Sequence, residues 1–117
     1  MSRAIHVFRS PDRFVAGTIG WDAEGKFPRK DLAGQVRIAL ENTLAILKEA
    51  GAGPEHMVRQ TWYLTSRAEY LESMREIGAA WRELIGKNFP AMAVVEVTAL
   101  MEAEAKVEIE TTAVVPG

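Results

Sequence analysis

The residues most suited to chemistry are three glutamates near the end of the chain, Glu96, Glu108 and Glu110. They stand among alternating apolar residues and threonines, the period-two pattern of β-strands, so Glu108 and Glu110 lie on one face of the same strand. Neighbouring carboxylates can divide the roles of general acid and general base, particularly where an apolar setting removes part of their hydration. The alternatives are structural: hydrogen bonds to backbone or to neighbouring subunits for Glu108, and salt bridges to Lys106 or Arg59 across strands or subunits for Glu96 and Glu110.

The composition excludes several other kinds of site. The 117-residue chain has no cysteine, which rules out disulfides, thiolate catalysis and sulfur-bound metals. His6 and His56 lack the spacing of metal ligands and no cofactor motif is present, so we expect neither a metal nor a cofactor. A net charge of −2 gives no reason to expect nucleic acid or an anionic membrane as a partner. Without a long apolar run or a signal-peptide core, the expected location is the cytoplasm.

The hydrophobic pattern predicts a single domain over residues 1–117, with the element order β-β-α-β-α-β-β. The first helix is predicted to begin after Asp31 as N-cap and to end at Gly51. Its apolar stripe is predicted to be Leu32, Val36, Ala39, Leu40, Thr43, Leu44 and Leu47. The residues off that stripe are expected to face water: Gln35, Arg37, Glu41, Asn42 and Lys48. The second is predicted to open with a capping box formed by Ser66 and Glu69. The predicted strands are the two arms of a hairpin within residues 4–19, followed by residues 58–65, 91–100 and 106–115.

Alternation also divides each strand into two faces. We assign the small apolar residues of the last two strands to the helix-covered face, which leaves Met92 and the three glutamates on the opposite face. Because each helix should form a right-handed crossover between two strands, both helices cover one face of a single mixed sheet. The glutamate-bearing face then has no cover from its own chain, and further copies of the chain are expected to bury it. The helix-facing set is predicted to be Val58, Gln60, Trp62, Leu64, Ala91, Ala93, Val95, Val97, Ala99, Val107, Ile109, Thr111, Ala113 and Val115.

The motifs of the chain, taken together, resemble those of a known family. They are Phe14-Val15-Ala16-Gly17, residues 35–42 and 47–51 around the first helix, residues 58–65, Phe89-Pro90-Ala91, and Val107-Glu108-Ile109-Glu110. They cover nearly the whole chain in one order, and their combination resembles the RidA (YjgF) family. The resemblance implies a chorismate-mutase-like α+β fold, a homotrimer whose sheets form an inner barrel, and small-molecule clefts between subunits.

The resemblance also implies a reaction. Well-studied members hydrolyse reactive 2-imino and 2-enamino acids to 2-oxo acids and ammonia, and the glutamate associated with activating water matches Glu108, our candidate catalytic residue. The arginine that grips the substrate carboxylate, directly after Phe-Pro-Ala, is replaced by Met92, which carries no charge. The serine that usually precedes Gly17 is Ala16 here, and an asparagine of the second helix corresponds to Gly78.

Four residues form the candidate substrate-binding set: Met92, Tyr63, Ala16 and Gly17. Met92 would line the cleft and select a less anionic ligand, with filling of the core or interface as the alternative. Tyr63 could stack on a ligand where the family often has phenylalanine, and plain packing would explain it equally well. The charge that Met92 lacks could come from elsewhere, with solvated surface positions as the simpler explanation; the candidates are Arg59, Arg75 and Arg82.

The expected function is therefore that of a RidA-like homotrimer that binds a small metabolite and hydrolyses an imine, an enamine or a related reactive nitrogen compound, using Glu108 and water. Without the arginine, efficient action on simple 2-imino acids is not expected. The alternative from another class is a non-catalytic protein that binds a metabolite or a protein partner. A third function, the endoribonuclease activity reported for some relatives, is disfavoured by an acidic chain without a basic stripe.

Overall fold

The computed structural model describes residues 10–116, which form four strands and three α-helices in an α+β arrangement. The first arm of the predicted hairpin, residues 4–9, lies outside the described residues. A 3-10 turn, Pro54–His56, precedes the second strand. The elements are β1 Asp12–Thr18, α1 Leu32–Glu49, β2 Met57–Leu64, α2 Arg67–Glu72, α3 Met74–Leu84, β3 Ala91–Glu96 and β4 Val107–Val114.

The strands form one mixed sheet in the order β1-β4-β2-β3. β4 runs antiparallel to both of its neighbours, and β2 and β3 run parallel to each other. The helices pack on one face, where the core includes Leu40, Leu47, Trp62, Val107 and Ile109. The predicted mixed sheet with one helix-covered face is confirmed. None of the helices formed by residues 10–116 combines the length and apolarity that a bilayer-spanning helix requires.

The first helix follows its sequence signals. The Asp31 carboxylate accepts a 3.0 Å hydrogen bond from the N–H of Gly34, as an N-cap should. After the helix, Gly51 adopts a φ of 77°, the left-handed conformation that ends helices at glycine. One expectation about this helix is wrong: Gln35 does not face water but is fully buried. Its side-chain amide donates to the carbonyls of Arg29 and Glu104 at 3.1 and 3.0 Å, so the polar group is satisfied inside the fold.

The second helical segment is two helices rather than one. They meet at Ser73, whose φ of −102° and ψ of 6° interrupt the helical geometry. Half of the predicted capping box is present, since Ser66 Oγ accepts from the N–H of Glu69 at 3.1 Å. The Glu69 carboxylate turns instead to the N–H of Leu32, at 3.1 Å, and to Lys106 Nζ, at 3.0 Å. Glu69 thus links the start of α1 to Lys106, the residue that precedes β4.

Strand β2 follows the predicted alternation except at its start. Gln60, Trp62 and Leu64 are buried toward the helices as expected, but Val58 is 47% exposed. The pairing of β2 with β4 is irregular between Met57 and Arg59, which lets Met57 point inward in place of Val58. An extra residue of this kind reverses the alternation on one side of the irregularity.

The predicted faces of β3 are reversed in the structure. In the parallel register, Met92 is paired with Gln60, and Val94 is paired with Trp62. Paired residues of neighbouring strands point to the same face, so Met92 and Val94 face the helices. Glu96 also reaches the helix layer, where its carboxylate accepts a 2.6 Å hydrogen bond from the N–H of Arg67. The strand ends at Glu96 rather than continuing to residue 100.

Candidate functional site

Glu108 lies in the middle of the sheet on the face that the helices leave open. Its strand neighbours Val107 and Ile109 are fully buried toward the helices, which directs the half-buried Glu108 the other way, as predicted. On the neighbouring strand β2, the residue paired with Glu108 is Tyr63. The structure therefore brings the candidate catalytic carboxylate and one predicted substrate-binding residue side by side.

Strand β1 contains a bulge next to Glu108. Val15 is paired with Thr111 and Thr18 with Ile109, so β1 has one residue more than β4 between these two pairs. Val15 and Thr18 are both buried toward the helices, whereas Ala16 and Gly17 between them are exposed. A bulge at a sheet edge commonly redirects side chains beside a functional site.

The Glu108 carboxyl group rests over Gly17. A Cβ atom built on Gly17 would lie 2.6 Å from Glu108 Cδ and 2.7 Å from its Cγ, closer than real Cβ contacts allow. The absence of a side chain at position 17 is what leaves this space to the carboxylate. Gly17 and Glu108, two residues singled out in the sequence, are thus in direct contact.

A cavity of about 510 Å³ opens beside this contact, around the edge of β1. The loop after β1 and helix α1 complete its wall. Asn42 of α1 donates from Nδ2 to the carbonyls of Ile19 and Trp21, at 2.9 and 3.1 Å, which holds that loop against the helix. The helical pattern predicts that Asn42 faces water, and its hydrogen bonds to the loop were not predicted. The signal was its location in one of the family-like motifs. The lining residues are Gly17, Thr18, Ile19, Trp21, Asp22, Ala23, Asn42, Ala45, Ile46 and Glu108.

A second cavity, of about 620 Å³, lies over the open face of the sheet. Ala16, Tyr63 and Glu110 are among its lining residues. The Tyr63 hydroxyl donates a 2.7 Å hydrogen bond to Glu110. This bond raises the pKa of Tyr63, with smaller contributions from desolvation and from the charges of Glu110 and Glu108.

The salt bridges expected for the glutamates beside Glu108 are not formed within the described part of the chain. Glu110 is engaged by Tyr63, and the ammonium group of Lys106 pairs with Glu69 at 3.0 Å. Glu96 binds the backbone at the start of α2. The three glutamates that alternation grouped together therefore lie in three different environments, and of the three Glu108 and Glu110 share a face.

Met92 lines a third cavity, of about 280 Å³, on the helix side of the sheet near its β3 edge. The expectation that Met92 shares a face with Glu108 is wrong, because the register of β3 against β2 turns it toward the helices. Gly78 lines the same cavity, so two positions at which the chain departs from the resembled family come together here. The other lining residues are Trp62, Tyr70, Ile77, Trp81, Phe89 and Pro90.

Of the five predicted site residues, the structure thus groups Glu108, Gly17, Ala16 and Tyr63 around β1, β4 and β2, and separates Met92 from them. Within residues 10–116 there is no cluster of three or more carboxylate or imidazole side chains able to hold a metal ion. The chemistry available at the larger group is that of one half-buried carboxylate beside a phenol and a glycine.

Comparison with known proteins gives consistent results. The sequence model of the family described as Endoribonuclease L-PSP matches residues 3–115. A RutC family protein of Pyrococcus abyssi is 35% identical over 101 residues, covering 86% of this chain and 76% of the relative.

Solved structures agree with the sequence matches. A member of the YjgF/YER057c/UK114 family from Mycobacterium tuberculosis is 36% identical with a TM-score of 0.73, and the match covers 91% of this chain and 80% of that one. TdcF of E. coli, solved with bound serine, is 26% identical with a TM-score of 0.77, and the match covers 91% and 81% of the two chains.

Proposed function

The chain belongs to the RidA (YjgF) family, and from this membership we propose that it forms a homotrimer that binds a small metabolite in clefts between its subunits and hydrolyses it with Glu108 and water. The metabolite would be an imine, an enamine or a related reactive nitrogen compound. The observation that carries the proposal is the contact between Glu108 and Gly17 at the wall of an open cavity.

Two features support an assembly with clefts between subunits. The open face of the sheet carries exposed apolar side chains, among them Phe14 at 76% and Val95 at 43% exposure, which association with further copies would bury. The second feature is the separation of the two candidate half-sites. Glu108 lies on the open face and Met92 on the helix face of the edge strand, so within residues 10–116 the two residues line different cavities. A neighbouring copy that brings its β3 edge to the β1 edge would join them.

The proposed reaction needs one base and one water molecule. Glu108 accepts a proton from the water as its oxygen attacks the carbon of the protonated C=N bond, which gives a carbinolamine. Glu108 then donates this proton to the amino nitrogen. As the carbon–nitrogen bond breaks and ammonia leaves, the hydroxyl proton passes back to the Glu108 carboxylate and the carbon–oxygen double bond forms. The products are a carbonyl compound and ammonia. An enamine enters the same route after protonation at carbon converts it to the imine. The cavity beside the contact between Glu108 and Gly17 is where the water would be placed.

The substrate class follows in part from Met92. A thioether cannot form the charged, two-pronged hydrogen bond that an arginine makes with a carboxylate. Loss of a hydrogen bond to a charged group costs about 1.5–3 kcal/mol, or about one to two decades in affinity. The proposed substrate is therefore not a simple 2-imino acid gripped by its carboxylate at this position.

Steady-state ammonia release from a panel of imines and enamines tests the catalytic role. Glu108→Gln should abolish release while leaving the fold and assembly intact, because the amide is close in size but cannot accept the proton. Glu49→Gln is the matched control, since Glu49 is an exposed glutamate at the end of α1. Turnover that survives in Glu108→Gln would contradict the proposal. Sedimentation tests the assembly: a mass near one 12.9 kDa subunit would rule out the homotrimer.

The second candidate function is binding without turnover. It is favoured by the combined departures at Met92, Ala16 and Gly78, and by the solved structure of TdcF, a related protein with bound serine. Saturable binding of a ligand that is recovered unchanged would support it over hydrolysis. Ribonuclease activity, suggested by the name of the matching family, is disfavoured by the net charge of −2, since phosphate contacts dominate nucleic-acid affinity.

A further inference from the structure

The cavity beside Met92 has no charged residue among the described residues that line it. Its volume of about 280 Å³ lies near the lower end of the range of about 300–1,000 Å³ usual for ligand pockets. Half of its lining residues are aromatic, and Pro90, Ile77 and Met92 are apolar as well. Met92 and Phe89 are 43% and 77% exposed, so large apolar side chains stand open to solvent at this site.

Two tryptophans give the cavity a fixed aromatic wall. The rings of Trp62 and Trp81 lie 6.2 Å apart at 44°, a tilted packing that aromatic pairs favour. Trp62 is locked in place by a 2.9 Å hydrogen bond from its Nε1 to Gln60. The Nε1 of Trp81 is buried without a partner in the described part of the chain, so it offers no accessible donor to an incoming molecule. Apart from Tyr70, which carries a hydroxyl, the lining side chains offer a ligand rings and other apolar surface.

A cationic group nevertheless stands beside this cavity. Arg82 lies one turn after Gly78 on α3, and its Nη1 is 3.5 Å from the position that a Cβ of Gly78 would occupy. Gly78 itself lines the cavity. Arg82 is exposed and makes no hydrogen bond or ion pair with other residues in the range 10–116, whereas Arg29 and Arg37 nearby are paired with Asp31 and Glu83. Its guanidinium is available to an anion at the Gly78 side of the cavity.

We propose that this cavity receives the apolar or aromatic body of a metabolite that carries one carboxylate, and that Arg82 binds that carboxylate. The inference rests on the proposed function and names its substrate class. The positive charge absent from position 92 is supplied from α3 instead, and Met92 becomes part of an apolar floor. The site accordingly selects a long or aromatic monocarboxylate over a short one such as the alanine-derived imine, which cannot fill the floor and reach Arg82 together.

Binding is measured with 3-phenylpropionate as probe and the neutral 3-phenylpropanamide as its matched partner. Trp62 and Trp81 report on the cavity, and a Trp21→Phe background removes the third tryptophan of the chain. We expect both probes to change the fluorescence, with the carboxylate bound about tenfold more tightly. Arg82→Gln should reduce that preference to about unity, and Arg82→Lys should keep part of it. Arg75→Gln, an exposed arginine on the same helix, should keep all of it.

Two results would overturn the inference: no fluorescence response to either probe up to about 1 mM, or a carboxylate preference that persists in Arg82→Gln. Circular dichroism and sedimentation of each variant establish that the fold and assembly are retained. Loss of ammonia release in Glu108→Gln with an unchanged preference in Arg82→Gln would leave the proposed function standing and remove this inference alone.

Discussion

The Glu108 carboxyl group packs so closely on Gly17 that residue 17 has no room for a Cβ atom. The carboxyl end of Glu108 fills the position where a side chain on residue 17 would begin. The bulge in β1 exposes Gly17 at that point, so the approach depends on an irregular strand as well as on a residue without Cβ. A candidate catalytic group is thus held by the shape of the neighbouring strand.

Replacing Gly17 by alanine should displace the Glu108 carboxylate and lower ammonia release about tenfold or more, with stability changed by no more than about 1 kcal/mol. The cost to stability is small because the displaced atoms are the flexible end of a side chain, and alanine restricts the unfolded chain. A double-mutant cycle with Glu108→Ala checks the cause by measuring ligand affinity. The change in ligand affinity caused by Gly17→Ala should vanish in the Glu108→Ala background, because the carboxylate that alanine displaces is absent there. An undiminished change in affinity in that background would contradict the steric explanation.

Tyr63 should ionise at higher pH than an ordinary tyrosine. The hydrogen bond to Glu110 raises its pKa above the usual 10.0, and desolvation and the charges of Glu110 and Glu108 act in the same direction. The stabilisation of the fold by this hydrogen bond is complete below pH 10, where Tyr63 is protonated in both the folded and the unfolded chain. It is lost as the pH rises through the raised pKa. Ultraviolet titration of tyrosinate, with Tyr63→Phe subtracted to remove Tyr70, measures the value. Glu110→Gln should bring it back toward 10, and an unchanged value would mean that Glu110 is not the cause.

Asp31 should contribute to stability through its cap of α1. Burial alone would raise its pKa, but hydrogen bonds from Arg29 and from the N–H of Gly34 outweigh burial and lower it below 3.8. Asp31→Ala should cost about 1 kcal/mol at neutral pH. Because the pKa is depressed in the fold, the advantage of the parent is present above pH 3.8 and shrinks as the pH falls through the folded value. Urea unfolding over this range measures it. Asp12→Ala, which removes no helix cap, is the control, and equal losses in both variants would contradict the capping role.

The features that could be predicted from the sequence are those fixed by local signals. The apolar stripe of α1 repeats every three or four residues, and the Asp31 cap and the Gly51 stop each involve residues within one turn of a helix end. All three are confirmed. The alternation of β4 is equally clear because one set of residues is almost fully buried and the other is not. The side of the sheet on which Glu108 lies is therefore a local property of its strand, and the residue pattern alone is enough to assign it.

The features that could not be predicted depend on pairing between distant segments. Apart from Glu96 at its end, both alternating sets of β3 are apolar, so its register against β2 decides that Met92 points toward the helices. The bulge that brings Gly17 to Glu108 arises from the pairing of β1 with β4, and the glycine inside the strand is a weak local sign of it. Met92, Gly78 and Arg82 come together through the register of β3 against β2 and the packing of α3 on the sheet, and both depend on contacts between distant segments.

Met92→Arg should restore a carboxylate clamp and increase turnover of the small imines derived from alanine or serine by about one to two decades, the worth of a charged hydrogen bond. The substitution is tolerable because Met92 is 43% exposed and its cavity opens to solvent, so the guanidinium need not be buried unpaired. The new guanidinium would also reduce the apolar surface of the cavity floor, and binding of 3-phenylpropionate should weaken in the same variant.

Met92→Leu is the control for altered packing, and it should raise neither the turnover of small imines nor the preference for a carboxylate probe. A variant that folds and assembles but gains no turnover would show that the departures at Ala16 and Gly78 also limit the reaction, and Ala16→Ser with Gly78→Asn in the Met92→Arg background would then be expected to raise it.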